Sequence, residues 1–124
     1  MDLNTVTSEI ISAAITVHKE LGPGLLESVY QSCMIVEFYQ RGLKYESEVS
    51  IPVIYRGIMV NEEGFRLDLV VEDSVIVELK SVEKVLPVHQ KQLLTYLRLA
   101  EKPLGLLINF NALKLVDGIT RIAN

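Results

Sequence analysis

The run Leu104–Phe110 restricts the possible fold more than any other part of the chain. It is almost entirely apolar, as expected for a β-strand covered by other elements on both faces. A second strand is predicted over Val75–Val82, and between the two lies a predicted helix from about Val88 to Glu101, after Pro87. A strand–helix–strand connection of this kind is right-handed and makes its two strands parallel. The sequence therefore predicts the α/β class, with a mixed sheet flanked by helices.

The other elements are predicted from hydrophobic periodicity and turn residues. Helical spacing predicts one helix over Thr5–Leu21 and a second that begins near Pro23 or Gly24 and ends at Gly42. Alternation predicts four more strands: Val49–Tyr55, Ile58–Val60, Phe65–Val71 and Leu113–Ile122. Because the 124 residues are 49% hydrophobic and show no linker or repeat, a single domain over residues 1–124 is expected.

Composition excludes several classes of protein. Cys33 is the only cysteine, which leaves no intrachain disulfide, no Cys-based zinc site and no iron–sulfur cluster. No signal peptide and no run of about 18 apolar residues is present, so a cytoplasmic chain without a membrane partner is expected. The net charge of −4 differs from the basic character of a tight nucleic-acid binder. A nucleic-acid partner would therefore require a metal ion or another subunit to offset the charge.

The two strands joined by Glu72–Ser74 carry carboxylates that are predicted to meet. The apolar alternation is preserved if Val71 lies opposite Val75, and that register places Asp68 directly opposite Glu78. Opposed side chains lie about 5 Å apart at Cβ, where two like charges repel. The sequence therefore holds two carboxylates together at a cost in folding free energy.

Two kinds of positive charge could offset that repulsion. Lys80 lies two residues after Glu78 and points to the same face. A divalent cation is the stronger candidate, because Mg²⁺ commonly takes one or two carboxylates. The alternative is an exposed hairpin face whose charges simply meet water. Val70, Ile76 and Val82 share that face and make full solvation less favourable.

Two further regions admit either a structural or a functional interpretation. His89, Gln92 and Tyr96 form a polar stripe on the third helix, where ordinary packing and solvation are the alternatives to a site. Glu27, in the segment GPGLLESVY, suits a generic helix start with Pro23 in its first turn. The functional alternative is that Gly24 lets the backbone approach the carboxylate pair, that Glu27 is a third carboxylate, and that Tyr30 packs the helix on the sheet.

Three motifs, in this order, resemble those of the PD-(D/E)XK nuclease superfamily. Gly24–Tyr30 (GLLESVY) resembles the motif of the GxxExxY protein family, a branch of that superfamily. Asp68 followed by Glu78–Lys80 (ELK) resembles the bipartite signature, with Leu67 where the signature has proline. Gln92–Tyr96 (QLLTY) resembles the Q-x₃-Y helix motif of RecB-type and phage lambda-type exonucleases.

The resemblance implies a restriction-endonuclease-like core of helix, three strands, helix and strand, here with an extra N-terminal helix. It implies that Asp68 and Glu78 ligate Mg²⁺ or Mn²⁺, with the Leu79 backbone carbonyl as a further ligand. Lys80 would orient the attacking water and stabilise negative charge on the phosphate. Glu27 would be an accessory catalytic or metal-binding carboxylate. The residues expected to shape the site or contact nucleic acid are Gln92, Tyr96, His89 and Gly24.

These implications favour a metal-dependent nuclease-like domain that hydrolyses phosphodiester bonds. The main alternative is a non-catalytic module of the same fold that binds nucleic acid or protein, which suits the acidic charge and the small size. An enzyme acting on a smaller phosphorylated substrate is a third hypothesis. Exposed strand edges in so small a chain also make a homodimer reasonable.

Overall fold

Two helices, three antiparallel strands, a third helix and two further strands follow one another along the chain. The structure, a computed structural model, describes residues 1–124. The helices are α1 (Leu3–Leu21), α2 (Glu27–Gln40) and α3 (Pro87–Ala100). The strands are β1 (Tyr45–Tyr55), β2 (Ile58–Val71), β3 (Val75–Lys80), β4 (Leu104–Asn109) and β5 (Ile119–Ala123), the last preceded by a 3₁₀ turn at Leu115–Gly118. None of the helices combines the length and apolar character needed to cross a membrane.

The sheet confirms the predicted class and crossover. Its five strands lie in chain order; β3 and β4 are parallel, and every other neighbouring pair is antiparallel. All six residues of β4 are buried, as predicted for a strand covered on both faces. The order α2, β1, β2, β3, α3, β4 is the predicted core of helix, three strands, helix and strand, and α1 is the extra helix before it.

Apolar side chains pack on both faces of the sheet. One face, covered by α1 and α2, is here called the α1–α2 face. The residues buried there include Tyr30 of α2 and, from the sheet side, Leu69, Val77 and Phe110. The opposite face, covered by α3, is the α3 face. Its buried residues are Leu67, Val70, Ile76, Leu93, Leu97 and Leu107. The polar site described below lies at one end of this two-sided core, where β2 and β3 separate.

The second helix begins later than predicted. Gly22 and Gly24 have φ of +73° and +95°, outside the helical region, so residues 22–26 form a loop and α2 begins at Glu27. Glu27 is therefore the first helical residue, where the helix dipole favours a negative charge. The predicted helix start at Pro23 or Gly24 is wrong for this reason.

The second strand is longer than predicted. The predicted turn at residues 61–64 lies inside β2, so it does not separate two strands. The Asn61 Oδ1 atom accepts hydrogen bonds from the N–H groups of Glu63 and Gly64, at 3.0 and 2.7 Å. Ile51 of β1 pairs with both Gly64 and Phe65. The turn-forming residues therefore produce a bulge within the hairpin.

Both strands of the β1–β2 hairpin change faces at the same level. Strict alternation predicts that Leu67 and Leu69 share a face, but Leu69 packs on the α1–α2 face and Leu67 on the α3 face. In β1, Tyr45 packs on the first of these faces and Val49 on the second. Glu48 lies between them with φ of +55°, which breaks the two-residue alternation.

The hairpin projects beyond β3, which pairs only with residues 69–71 of β2. The tip of the projection exposes several large apolar side chains: Ile54, Tyr55, Ile58, Met59 and Val60. The homodimer expected from exposed strand edges stays a prediction.

Candidate functional site

The facing carboxylates lie where β2 and β3 stop pairing regularly. Val71 pairs with Val75, as predicted, and regular pairing continues only as far as Leu69. At the next level, Glu78 Oε1 accepts a hydrogen bond from the Asp68 N–H (3.1 Å), and Asp68 Oδ2 accepts one from the Leu79 N–H (2.8 Å). Each carboxylate is thus held by the backbone of the opposite strand.

The two carboxyl groups compete for one negative charge. Burial and, next to it, the charge of Asp68 raise the pKa of Glu78 to about 8. Burial also raises the pKa of Asp68, while the Leu79 N–H opposes that change. The hydrogen bond between the two side chains lowers the pKa of Asp68 and raises that of Glu78. At neutral pH and without a cation, burial and mutual repulsion therefore favour a state in which the pair shares one proton.

Lys80 lies at the end of β3 and is half-buried. The parallel neighbour Asn109 and the hydrogen bond from the Phe110 N–H to the Lys80 carbonyl (2.9 Å) fix its backbone. The charge of Lys80 lowers the pKa of Glu78, although its effect is the smallest of those that act on that group. The lysine and the carboxylate pair therefore belong to one electrostatic unit.

The third helix contributes Tyr96 to this unit. Burial raises the pKa of the Tyr96 phenol, and the charges of Glu78 and Asp68 add to the increase. The Tyr96 ring stacks on Phe65 of β2 with centroids 4.4 Å apart. The other two members of the predicted stripe differ from Tyr96. His89 Nδ1 accepts a hydrogen bond from the Leu86 N–H (3.0 Å) and closes the helix start, while Gln92 is exposed.

The loop before α2 is tied to the core by a tyrosine. The Tyr30 hydroxyl donates to the Gly22 carbonyl (2.6 Å) and accepts from the Leu25 N–H (3.1 Å). Its ring is fully buried and stacks on Phe110 at 4.4 Å. Ser81, directly after Lys80 in the chain, donates to the Leu25 carbonyl at 2.5 Å. Tyr30 thus packs against the sheet, as predicted, and also fixes the loop.

The structure changes the reason for the glycine at position 24. A Cβ atom there would meet no atom within 4 Å, so close approach of the backbone does not require glycine. Its φ of +95° does. Glu27, exposed at the start of α2, is near enough to Asp68 to raise the pKa of that carboxyl. The roles of Gly24 and Glu27 in a site stay predictions.

Replacing Tyr30 by phenylalanine is expected to reduce the free energy of unfolding by about 1–2 kcal/mol, because it removes the hydroxyl's two hydrogen bonds to the loop backbone but keeps the ring stack. Urea denaturation measures this change. Tyr39→Phe is the matched control, because Tyr39 is 76% exposed. Equal stability of the Tyr30 and Tyr39 variants would contradict the loop-fixing role.

Three residues near the site were not predicted from the sequence: Ser81, Gln31 and Glu48. Ser81 holds the loop, and Gln31 Nε2 donates both to Glu48 Oε1 (3.2 Å) and to the Asp68 carbonyl (3.4 Å). Their contacts connect elements far apart in the chain. The position of Ser81 next to Lys80 was the only sequence signal available for any of them.

The oxygen atoms at the site suit a hard divalent cation. Asp68 and Glu78 supply carboxylate oxygens, and the backbone carbonyl of Leu79 lies between Glu78 and Lys80 in the chain. Such ligands fit Mg²⁺ or Mn²⁺, which retain water molecules and need few protein ligands. No group of three or more His, Cys, Asp or Glu side chains is placed to hold a metal ion. Asp68 and Glu78 are therefore the candidate carboxylate donors, and Glu27 does not complete a group of three with them.

Comparison with known proteins finds one match. A family model described as the PD-(D/E)XK nuclease superfamily matches residues 4–122, almost the whole chain. The searches of curated proteins and of solved structures found no match to this chain.

Proposed function

Because the chain belongs to the PD-(D/E)XK nuclease superfamily, we propose that it is a metal-dependent nuclease-like domain that hydrolyses phosphodiester bonds in nucleic acid. The observation that carries the proposal is the pair Asp68 and Glu78, held together by backbone N–H groups with Lys80 on the same strand as Glu78. On the basis of Gly24, Glu27 and Tyr30, we also assign the chain to the GxxExxY branch.

The cost of the carboxylate pair supports a cation. Glu78 is only 8% exposed, and its ionised form is disfavoured by burial and by Asp68. A structural pair would be more stable as amides or apolar residues, which need no ionisation. A divalent cation favours the charged form of both groups. The arrangement is thus unfavourable for folding alone and suited to binding a cation.

Each residue has a distinct role in the proposed reaction. Asp68 and Glu78 hold Mg²⁺ or Mn²⁺, with the Leu79 carbonyl as a further ligand. When bound, the ion supplies positive charge that stabilises the phosphate as negative charge develops on it. Lys80 orients the attacking water through its ammonium group and stabilises the same charge. Tyr96 and Gln92 shape the wall of the site formed by α3.

A bound cation would also offset part of the negative charge that makes the chain repel nucleic acid. With a net charge of −4, the protein repels a polyanion at long range. Charge neutralisation at the carboxylate pair, together with Lys80, gives a phosphate a local positive contact. Binding to nucleic acid is therefore expected to be weak without a divalent cation and to weaken with added salt.

Incubation with labelled single-stranded DNA, duplex DNA and RNA tests the proposal. Cleavage is expected with Mn²⁺ or Mg²⁺ and is expected to stop with chelator. Asp68→Ala, purified in parallel, identifies any contaminating nuclease, and Asp117→Asn is the matched control because Asp117 is exposed in the turn before β5. Metal-dependent binding without cleavage would favour the non-catalytic module. Cleavage confined to a small phosphodiester would identify the smaller substrate class.

A further inference from the structure

Glu48 has a backbone conformation that its residue type does not favour. It lies within β1 with φ of +55°, a region that costs a non-glycine residue about 1 kcal/mol or more. It is more than half exposed, so burial does not force the conformation. In the β1–β2 register, Ser47 pairs with Leu69 and Val49 with Leu67, which places Glu48 opposite Asp68. Glu48, with its unfavourable backbone conformation, thus lies beside Asp68, a proposed metal ligand.

The backbone of Glu48 marks the point where the hairpin changes faces. On one side of this level, Tyr45 and Leu69 pack on the α1–α2 face; on the other side, Val49 and Leu67, which strict alternation would place on that same face, pack on the α3 face. Phe65, one of the residues beyond this level, stacks on Tyr96 of α3. Asp68, which lies opposite Glu48, is the residue of β2 at which this change of face occurs, between Leu67 and Leu69. The left-handed residue and the carboxylate that meets Glu78 therefore lie at the same level of the hairpin.

The side chain of Glu48 links three elements at this level. Its Oε1 accepts the Gln31 amide of α2 at 3.2 Å, and the same amide nitrogen lies 3.4 Å from the Asp68 carbonyl in β2. Its Oε2 lies 3.7 Å from Arg66 Nη1, also in β2. Gln31 is one turn beyond Glu27 on α2, so the link also fixes the helix that carries Glu27.

We propose that Glu48 is a positioning residue for Asp68: its left-handed backbone turns the hairpin between the two faces of the sheet, and its carboxylate, through Gln31, holds α2 against the strand that carries Asp68. This inference rests on the proposed function, because it treats Asp68 as part of the reacting site. Glu48 itself needs to touch neither metal nor substrate.

Four variants test the side-chain role while the positive φ stays accessible at residue 48. Glu48→Gly keeps the positive φ and removes the hydrogen bond to Gln31, whereas Glu48→Gln keeps an acceptor for Gln31. Gln31→Ala removes the same hydrogen bond from the side of α2. The fourth is the double variant, Glu48→Gly with Gln31→Ala. Glu101→Gly is the matched control, because Glu101 also has φ of +55° but caps the end of α3. The readouts are kcat and KM for metal-dependent cleavage, and the free energy of unfolding.

We expect Glu48→Gly to lower kcat roughly three- to tenfold, with KM unchanged and stability unchanged or higher. Glu48→Gln should stay within about twofold of wild type, and the double variant should be no slower than the slower single variant. Glu101→Gly should gain stability without losing rate. A Glu48→Gly variant as fast as wild type would overturn the inference, as would a loss of rate that parallels a loss of stability.

An activity-independent readout separates failure of this inference from failure of the proposed function. The Leu79 amide donates to Asp68 Oδ2, so its hydrogen exchange reports how firmly that carboxylate is held. Even if the wild type cleaves nothing, faster exchange at Leu79 in Glu48→Gly, but not in Glu101→Gly, supports the positioning role. Unchanged exchange at Leu79 overturns it.

Discussion

Replacing Glu78 by glutamine is expected to raise the melting temperature of the metal-free protein at pH 8–9 by roughly 10 °C, with little effect at pH 5. The glutamine Oε1 atom can still accept the Asp68 N–H, and its amide can donate to Asp68 as the protonated carboxyl does. The substitution therefore removes a titrating group and leaves the local hydrogen bonds in place.

The direction of this pH dependence follows from the raised pKa of Glu78. Burial and the charge of Asp68 raise it from 4.5 to about 8. Between these pH values the unfolded chain releases a proton that the folded chain retains, so wild-type stability falls as pH rises, and the loss is complete above about pH 8. Because the titration is shared with Asp68, the loss is on the order of 3 kcal/mol. Glutamine has no such loss.

Thermal melts of wild type and Glu78→Gln between pH 5 and 9, in chelator, measure the effect. Glu62→Gln is the control, because Glu62 is exposed in the distal hairpin. Added Mn²⁺ should raise the melting temperature of wild type more than that of Glu78→Gln, because only the carboxylate supplies a charged ligand. A difference between the two proteins that does not change with pH would contradict the assignment of Glu78.

Replacing Lys80 by alanine is expected to lower the rate of metal-dependent cleavage by about 10²–10⁴-fold while Mn²⁺ binding persists. The ammonium group acts on the water and the developing phosphate charge, whereas the ion is held by carboxylates. Removal of the positive charge leaves the affinity for a cation unchanged or higher.

Single-turnover cleavage and calorimetric Mn²⁺ titration measure the two effects of this substitution separately. Lys114→Ala is the matched control, because Lys114 is exposed before the 3₁₀ turn. Parallel losses of Mn²⁺ affinity and rate in Lys80→Ala would show that the lysine organises the site without taking part in the reaction.

Local sequence patterns predicted the parts of the site that lie on adjacent strands. The alternation in β2 and β3 and the loop Glu72–Ser74 determined the register, and the register brought Asp68 to Glu78. Leu104–Phe110 and Pro87 predicted the crossover for similar reasons: apolar runs and helix breakers act over a few residues.

Contacts between distant parts of the chain explain the failures. The delayed start of α2 follows from the positive φ of Gly22 and Gly24, in a loop held by the hydroxyl groups of Tyr30 and Ser81. The face change at Leu67 occurs at the level of Glu48, a residue type that gives no warning of a positive φ. The predicted turn after Asn61 became a bulge because β1 continues to pair past it. Strict alternation could not anticipate these cases.

The most direct test of the proposed site is the single-turnover rate of Mn²⁺-dependent cleavage by Asp68→Ala, Lys80→Ala and the double variant, each confirmed as folded by its melting curve. If the two residues act as one unit, each substitution removes most of the rate, and the double variant is about as slow as the slower single variant. A metal-dependent rate that survives in all three variants would place the chemistry elsewhere on the chain.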